Sequence, residues 1–186
     1  MSRINPILVE LGISTNPDSV VVGYDNWLFL GDQYASTISN NRLGSDHVEV
    51  IERSKSIIRS LEEWDSFFRT EGVKNFSIIL GPNKSTVYSD KLPLWARTPN
   101  YSLSHHLYNS PIYVNSIDDL RHARNTADPY YRTDTHWNNY GASVAFENYL
   151  DKLVKDVHIN IPPASWSKVS YTNLRKGGGF IKVSWH

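Results

Sequence analysis

Apolar and polar side chains alternate with a helical period in two long segments of the chain. From residue 46 to residue 70, large apolar residues recur at three- and four-residue steps with charged residues between them, and a similar stripe runs from 139 to 157. Asp46 is placed to cap the first segment, and Asn138 or Asn139 is placed to cap the second. The pattern therefore predicts two long amphipathic helices.

Short β-prone runs stand between the helical segments. Residues 20–32 contain two such runs around a polar turn, which predicts a hairpin with Trp27 and Phe29 in the core. Residues 75–80 and 111–115 are short apolar runs of the kind found in parallel sheets, and Ser116 can start a brief helix through residue 121. The alternation of strands and helices predicts an α/β sandwich.

Composition narrows the classes of function. Hydrophobic residues make up 40% of the 186 residues and charged residues 20%, as in an ordinary globular domain. Nineteen basic residues balance nineteen acidic ones, so there is no basic field to attract nucleic acid. The absence of cysteine excludes disulfides and thiolate nucleophiles. We expect residues 1–19 to lead into one domain over 20–160, followed by an atypical tail over 161–186.

The sequence predicts no membrane span and no signal peptide. None of its apolar runs approaches the roughly 18 residues that a spanning helix needs. Near the N-terminus, Asn5, Pro6 and Glu10 interrupt any apolar segment of the kind that a signal peptide contains.

The sharpest chemical signal is a carboxylate and an imidazole two residues apart, Asp134 and His136, just ahead of the second long helix. In an extended segment, residues two apart point to the same side, so both side chains can face one cavity. A carboxylate beside an imidazole fixes its tautomer and favours the imidazolium, as a general base requires. The pair is therefore the candidate catalytic centre, beside a helix N-terminus that suits a developing negative charge.

Two further polar groups follow the predicted strand at 75–80. Asn83 and Lys84 lie beyond its C-terminal end, the edge at which open α/β sheets bind ligands. The adjacent pair His105 and His106 has no acidic or histidine partner at ligand spacing nearby, so we predict no metal site there.

Three blocks in a fixed order carry a family resemblance. Residues 23–29 read Gly-Tyr-Asp-Asn-Trp-Leu-Phe, residues 82–88 read Pro-Asn-Lys-Ser-Thr-Val-Tyr, and residues 131–138 read Tyr-Arg-Thr-Asp-Thr-His-Trp-Asn. They resemble the Gly-x-Asp-Gly-Trp-Leu-Phe, Pro-Asp-Lys-x-x-x-Tyr and Asp-x-His-Trp motifs of SGNH-like polysaccharide O-acetyltransferases of the AlgX/AlgJ-like family. The resemblance implies an SGNH-hydrolase-like three-layer sandwich with a mostly parallel sheet.

The resemblance also implies a chemistry. His136 would be the general base and Asp134 its orienting partner, and together they would activate a serine that passes an acetyl group to a sugar hydroxyl without a cofactor. The acceptor would be a polysaccharide such as alginate, the acetyl donor would arrive by way of a membrane acyltransferase partner, and the location would be periplasmic or the cell envelope. The residues expected to contact substrate are Asn83, Lys84, Tyr88, Trp137 and Asn138.

The chain departs from the family at the nucleophile. The family's serine stands in a Gly-Asp-Ser segment downstream of the histidine, and no such triplet occurs here. At residues 31–33 the chain reads Gly-Asp-Gln, and at 44–46 it reads Gly-Ser-Asp, in the wrong order. We therefore expect a fold that is incomplete at the C-terminus, from a truncated reading frame whose nucleophile is unknown.

Other interpretations of the same residues stay open. Six tryptophans and eleven tyrosines offer faces that can stack on sugar rings, so the chain can be read as an inactive carbohydrate-binding remnant. Asp134 and His136 are also compatible with a divalent ion, although the sequence offers no third ligand in pattern. Finally, the two can form a buried ion pair that only holds the loop to the helix.

Overall fold

The computed structural model describes residues 13–34, 36–42, 46–97 and 103–158, so the expectation for the tail over 161–186 lies outside the described residues. Helices and strands are mixed along the chain, which confirms the α/β class. The elements are β1 (Val20–Val22), β2 (Leu28–Leu30), α1 (Thr37–Arg42), α2 (Val48–Thr70), β3 (Ile78–Ile79), α3 (Lys84–Val87), α4 (Leu103–Leu107), β4 (Tyr113–Val114), α5 (Ile117–Ala123) and α6 (Asn139–Val157), with 3₁₀ turns at Tyr24–Asn26, Ser89–Lys91 and Leu94–Ala96.

The predicted hairpin is present. β1 and β2 pair antiparallel with Val21 opposite Phe29, and Trp27 and Phe29 are buried, whereas Tyr24 in the turn is exposed. Its turn places Asp25 and Asn26 in the left-handed region, at φ values of 57° and 62°. Asparagine and aspartate tolerate this region better than other non-glycine residues, which explains a turn here without a glycine.

Both long helices are confirmed, but only one cap is. Asn138 caps α6, its side chain accepting a hydrogen bond from the Gly141 amide. The prediction for Asp46 is wrong, because α2 begins at Val48 and its N-cap is His47, whose side chain makes no capping bond. Asp46 lies one residue too early to occupy the capping position.

The two apolar runs after α2 form a parallel pair, shorter than predicted. Ile78 of β3 lies opposite Tyr113 of β4, and α6 packs against both strands while α5 packs against α6. β4 is buried, whereas β3 is half-buried and not the fully buried strand that its sequence suggests. Within the described ranges β3 has β4 as its partner strand, so this sheet is two strands wide.

The main core lies between the hairpin, α3, α5 and the segment that leads to Asp134. Trp27 stacks on Tyr88 with ring centroids 3.9 Å apart, and Tyr88 meets the edge of Tyr130 at 6.1 Å. Partly buried side chains of Trp137 and Val144 pack against this cluster. The remaining buried members of the cluster are Val21, Phe29, Ile38, Val87, Leu92, Ala96 and Leu120.

α2 is packed less tightly. Val50 and Ser54 are its buried residues, and Trp64 and Phe67 are 54% and 52% exposed. Its C-terminal end reaches the β3 approach, where Phe68 and Phe76 lie with ring centroids 5.1 Å apart. Among the residues described, no helix is both long enough and apolar enough to cross a membrane.

Candidate active site

The structure brings Asp134 and His136 together. The Nδ1 atom of His136 lies 2.7 Å from Oδ1 of Asp134, and the backbone amide of His136 donates to the same oxygen over 2.9 Å. One carboxylate oxygen therefore holds both the ring and the main chain of the histidine. This double contact fixes the imidazole relative to the carboxylate.

The backbone route to this contact differs from the prediction. Residues 132–136 form a series of bends and not an extended segment. Tyr130 and Trp137 form an isolated antiparallel bridge, so the chain between them is a closed loop with the pair near its tip. Asp134 reaches His136 as in an Asx-turn, in which the side chain accepts from the amide two residues on.

The pair is open to solvent. The side chain of His136 is 81% exposed and that of Asp134 is 56% exposed. The backbone amide and ring of His136, as donors, hold the pKa of the Asp134 carboxyl below its usual range. Because an ionised carboxylate accepts the proton on Nδ1, the neutral ring keeps its basic lone pair on Nε2, the arrangement a general base needs.

The start of α6 anchors the C-terminal side of the loop. Nδ2 of Asn138 donates to the Asp128 carbonyl over 2.6 Å, while its Oδ1 accepts from the Gly141 amide over 3.1 Å. Gly141 fits closely here, since a Cβ atom on it would meet the Pro129 carbonyl oxygen at 2.3 Å. Asn138 is buried, and its side chain is committed to these two bonds.

Lys84 anchors the N-terminal side of the loop. Its ammonium donates to the carbonyls of Tyr131, Arg132 and Asp134 over 3.1, 3.2 and 2.6 Å. The side chain is 4% exposed, unusually buried for a lysine. The predicted strand end thus delivers Lys84 to the loop backbone, 50 residues further along the chain for the Asp134 contact.

A family model described as "SGNH hydrolase-like domain, acetyltransferase AlgX" matches residues 20–166. The chain belongs to this family. The match covers all three sequence blocks on which the AlgX/AlgJ-like resemblance was stated, and it confirms that resemblance. No curated protein matches the chain significantly.

Solved structures agree on the fold. The O-acetyltransferase domain of Pseudomonas putida AlgJ superposes with a TM-score of 0.55 at 21% identity, over 78% of this chain and 50% of that one. Bacillus cereus PatB1, solved with a sulfonyl adduct, gives 0.51 at 20% identity, over 77% of this chain and 45% of that one. The chain thus spans about half the length of these structures, and the SGNH-like fold class is confirmed.

Two of the predicted substrate contacts lie at a small cavity beside the loop between Tyr130 and Trp137. Asn83 and Lys84 line a cavity of about 30 Å³ together with Thr135, which stands between the catalytic candidates. Asn83 is exposed, in contrast to Lys84. Trp137 lies elsewhere, with its ring over Gly81 at 3.4 Å from where a Cβ atom would stand, and packs against the core.

Tyr88 lies at a second, larger cavity of about 610 Å³. Its hydroxyl donates to the Asp128 carboxylate over 3.1 Å, and burial raises the pKa of this tyrosine above its ordinary value. The guanidinium of Arg124 lies 4.2 Å from the ring centroid. The other lining residues are Asp25, Trp27, Lys91, Arg121, Asn125 and Arg132.

The cavity expected in front of the catalytic candidates stays a prediction. Asp134 and His136 do not line either of these two cavities. Sequence reasoning missed the basic residues of the larger cavity, among which Arg132 had a signal because it stands two residues before Asp134 in the family block. In the parts of the chain that are described, no three His, Asp or Glu side chains are grouped as a metal site requires.

Proposed function

We propose that this chain supplies the proton-transfer half of an O-acetyltransferase site, with His136 as the general base and Asp134 as its orienting partner. The observation that carries the proposal is the double contact of the Asp134 carboxylate to the ring and the amide of His136. Membership of the AlgX family supports acetyl transfer as the reaction in which the pair acts.

The proposed reaction has two steps. His136 Nε2 takes the proton of a serine hydroxyl as its oxygen bonds to the acetyl carbonyl carbon, and His136 then returns the proton to the departing donor group. In the second step His136 takes the proton of a sugar hydroxyl. The sugar oxygen attacks the acetyl-serine, and the serine oxygen leaves with the proton from His136. The carboxylate of Asp134 stabilises the imidazolium in both steps.

The nucleophilic serine is the unassigned part of this mechanism. The sequence contains no Gly-Asp-Ser triplet, and Gln33 stands where the nearest string would need its serine. We propose that the serine comes from a polypeptide segment or a partner outside these 186 residues. A triad without its nucleophile loses most of its rate, because triad members act as a unit.

The proposed acceptor is a polysaccharide. The larger cavity supports this assignment, because Tyr88 and Arg132 line it. Arg132 also belongs to the loop between Tyr130 and Trp137, which we call the catalytic loop. We retain Tyr88 and Asn83 as proposed acceptor contacts because each lines one of the two cavities. Lys84 and Asn138 are occupied by the loop and the helix, and Trp137 packs against the core. Family membership supports a periplasmic or cell-envelope location and an acetyl donor delivered by a membrane acyltransferase.

Ester hydrolysis by the purified chain tests the missing nucleophile. We expect p-nitrophenyl acetate to be hydrolysed no faster by this chain than by its His136→Ala variant. Rapid hydrolysis that the variant abolishes would show that a serine of this chain is the nucleophile. Treatment with an aromatic sulfonyl fluoride followed by mass spectrometry gives the independent check, and we expect no adduct on any serine that depends on His136.

The general-base role is tested in the longest reading frame that contains these residues. If the DNA after codon 186 encodes a Gly-Asp-Ser segment, acetyl transfer to a polysaccharide should fall at least about 10³-fold in His136→Ala. Asp134→Asn should also lose most of its rate, because the ring is then free to take the wrong tautomer. Unchanged transfer in both variants would refute the role.

The second candidate function is a carbohydrate-binding remnant, favoured by the missing nucleophile together with the polar cavity of about 610 Å³. Isothermal titration with acidic and neutral polysaccharides separates the candidates. Binding without turnover, in a gene that encodes no downstream serine block, would favour the remnant. Turnover in the longer frame would favour the enzyme.

A further inference from the structure

Lys84, at the start of α3, is a buried cation that contacts the loop carrying Asp134 and His136 and that the proposed reaction does not use. Its ammonium lies 5.6 Å from the ring centroid of Trp27 and 5.2 Å from that of Phe29, both of them core residues. Burying a charge is costly unless hydrogen bonds replace its water. A lysine in this position therefore calls for an explanation in terms of what its ammonium binds.

Among the described residues, the partners of the ammonium are backbone oxygens and not carboxylates. It donates to three carbonyls, those of Tyr131, Arg132 and Asp134. An ammonium has three N–H groups, so its donor number matches these acceptors. The shortest contact, 2.6 Å, is to the carbonyl of Asp134 itself, whose carboxylate holds His136.

The loop has little regular structure to hold this geometry. Residues 132–136 are bends between the bridged positions Tyr130 and Trp137. The side chains of Asp134 and His136 are largely solvent-exposed, so packing constrains them weakly. Carbonyls that converge on one point need a donor there, and Lys84 is that donor.

We infer that Lys84 is a positioning residue, whose buried ammonium fixes the backbone at Asp134 so that one carboxylate oxygen reaches both the amide and the Nδ1 of His136. The inference rests on the proposed function for its consequence in catalysis. Its structural content is independent, because it concerns the geometry of the pair and not the reaction.

The charge state of Lys84 agrees with this role near neutral pH. Burial lowers the pKa of the Lys84 ammonium to about 8, and the nearby Asp134 carboxylate acts in the opposite direction. At pH 7 the protonated form therefore dominates, and all three N–H groups are available to the carbonyls.

Nitrogen NMR of the His136 ring in Lys84→Met tests the inference. ¹⁵N shifts of a neutral imidazole distinguish the Nδ1–H from the Nε2–H tautomer, and His136→Gln assigns the signal. In the native chain at pH 7 to 7.5 we expect Nδ1–H, because Asp134 accepts that proton. In Lys84→Met we expect the Nε2–H form to become the major one, because the carboxylate no longer faces the ring.

This readout separates positioning from a simple charge effect. Removing a nearby cation without moving the loop would leave the Asp134 carboxylate at least as strong an acceptor, so the Nδ1–H form would persist. Persistence of that form in a folded Lys84→Met protein would overturn the inference. Lys55→Met removes an exposed lysine that pairs with Glu52 on α2, and it should leave the His136 spectrum unchanged.

If Lys84→Met does not fold, a second measurement on the native chain tests the inference. In the native chain, raising the pH from 7 to 9 neutralises the ammonium, which then has two N–H groups for three carbonyls. Amide exchange at residues 131–136, corrected for its intrinsic pH dependence, should accelerate relative to that in α6. Equal protection at both pH values would overturn the inference. Neither readout needs acetyl transfer, so a failure of the proposed function would be seen separately.

Discussion

Trp27 and Trp64 are the same side chain in two different surroundings. Trp27 is 1% exposed and stacks on Tyr88, next to α3 and the catalytic loop. Trp64 on α2 is 54% exposed and lies beside Phe67 and Phe68 of its own helix. We call the core around β1, β2 and α3 the hairpin side, and α2 the long-helix side. On the hairpin side the large apolar side chains are buried. On the long-helix side, several large apolar side chains are exposed to solvent.

The difference shows how the site is supported. The exposed pair at the loop tip has weak packing of its own, but buried groups beneath it hold the backbone on both flanks. Lys84 binds carbonyls just before His136, and Asn138 joins the Asp128 carbonyl ahead of the loop to the Gly141 amide after it. The more tightly packed side of the domain is thus the side that carries the proposed chemistry.

Truncating the two tryptophans should give the largest contrast. Trp27→Ala leaves a cavity in the core and is expected to lower the free energy of unfolding by about 3–5 kcal/mol. Trp64→Ala removes a half-exposed ring and should cost less than about 1 kcal/mol. Urea denaturation followed by circular dichroism measures both. Equal losses would mean that the two sides are packed alike.

The contribution of Lys84 to the free energy of unfolding should rise as the pH increases from neutral to alkaline. Its pKa is lowered to about 8 in the folded chain, from an ordinary value of 10.5. Between these values the unfolded chain binds the extra proton, so raising the pH favours the folded state. Relative to Lys84→Met, the native chain should gain about 2 kcal/mol between pH 7 and pH 10.

Matched urea titrations of the native chain and Lys84→Met at the two pH values measure this gain. The comparison with the variant removes the effects of tyrosines and other lysines that titrate in the same range. A difference in unfolding free energy that stays constant with pH would show that the ammonium is not buried in solution.

The two N-caps offer a smaller contrast between the sides. Asn138→Ala removes the bond to the Gly141 amide and leaves the Asp128 carbonyl without this donor, at a cost of about 1–2 kcal/mol. His47→Ala changes a capping residue whose side chain makes no cap bond, and it should be close to neutral. Thermal unfolding of both variants measures the difference, and a costly His47→Ala would contradict the helix start described for α2.

The sequence predicted the elements better than the contacts between them. The periods of α2 and α6, the hairpin and the two parallel strands are local patterns, and they were found. The predicted cap at Asp46 was wrong by one residue, because several polar residues near a helix start can satisfy the same pattern. The length of the partly buried β3 was overestimated, since apolar residues continue past the point where a partner strand ends.

The candidate site was predictable in its members but not in its shape. The spacing of Asp134 and His136 pointed to their meeting, yet they meet through an Asx-type turn at a loop tip and not across an extended segment. The position of Lys84 after a strand suggested a ligand contact. Its bonds to carbonyls 47 to 50 residues away depend on tertiary folding, which no local pattern records.

The tautomer of His136 in the native chain, compared with Asp134→Asn, tests the central claim most directly. The account predicts that at neutral pH the native ring carries its proton on Nδ1, bonded to Asp134, and leaves Nε2 as the base. In Asp134→Asn the ¹⁵N signals should move toward the Nε2–H form, because an amide can present a donor to the ring. A native ring already protonated on Nε2, or one that Asp134→Asn leaves unchanged, would contradict the account.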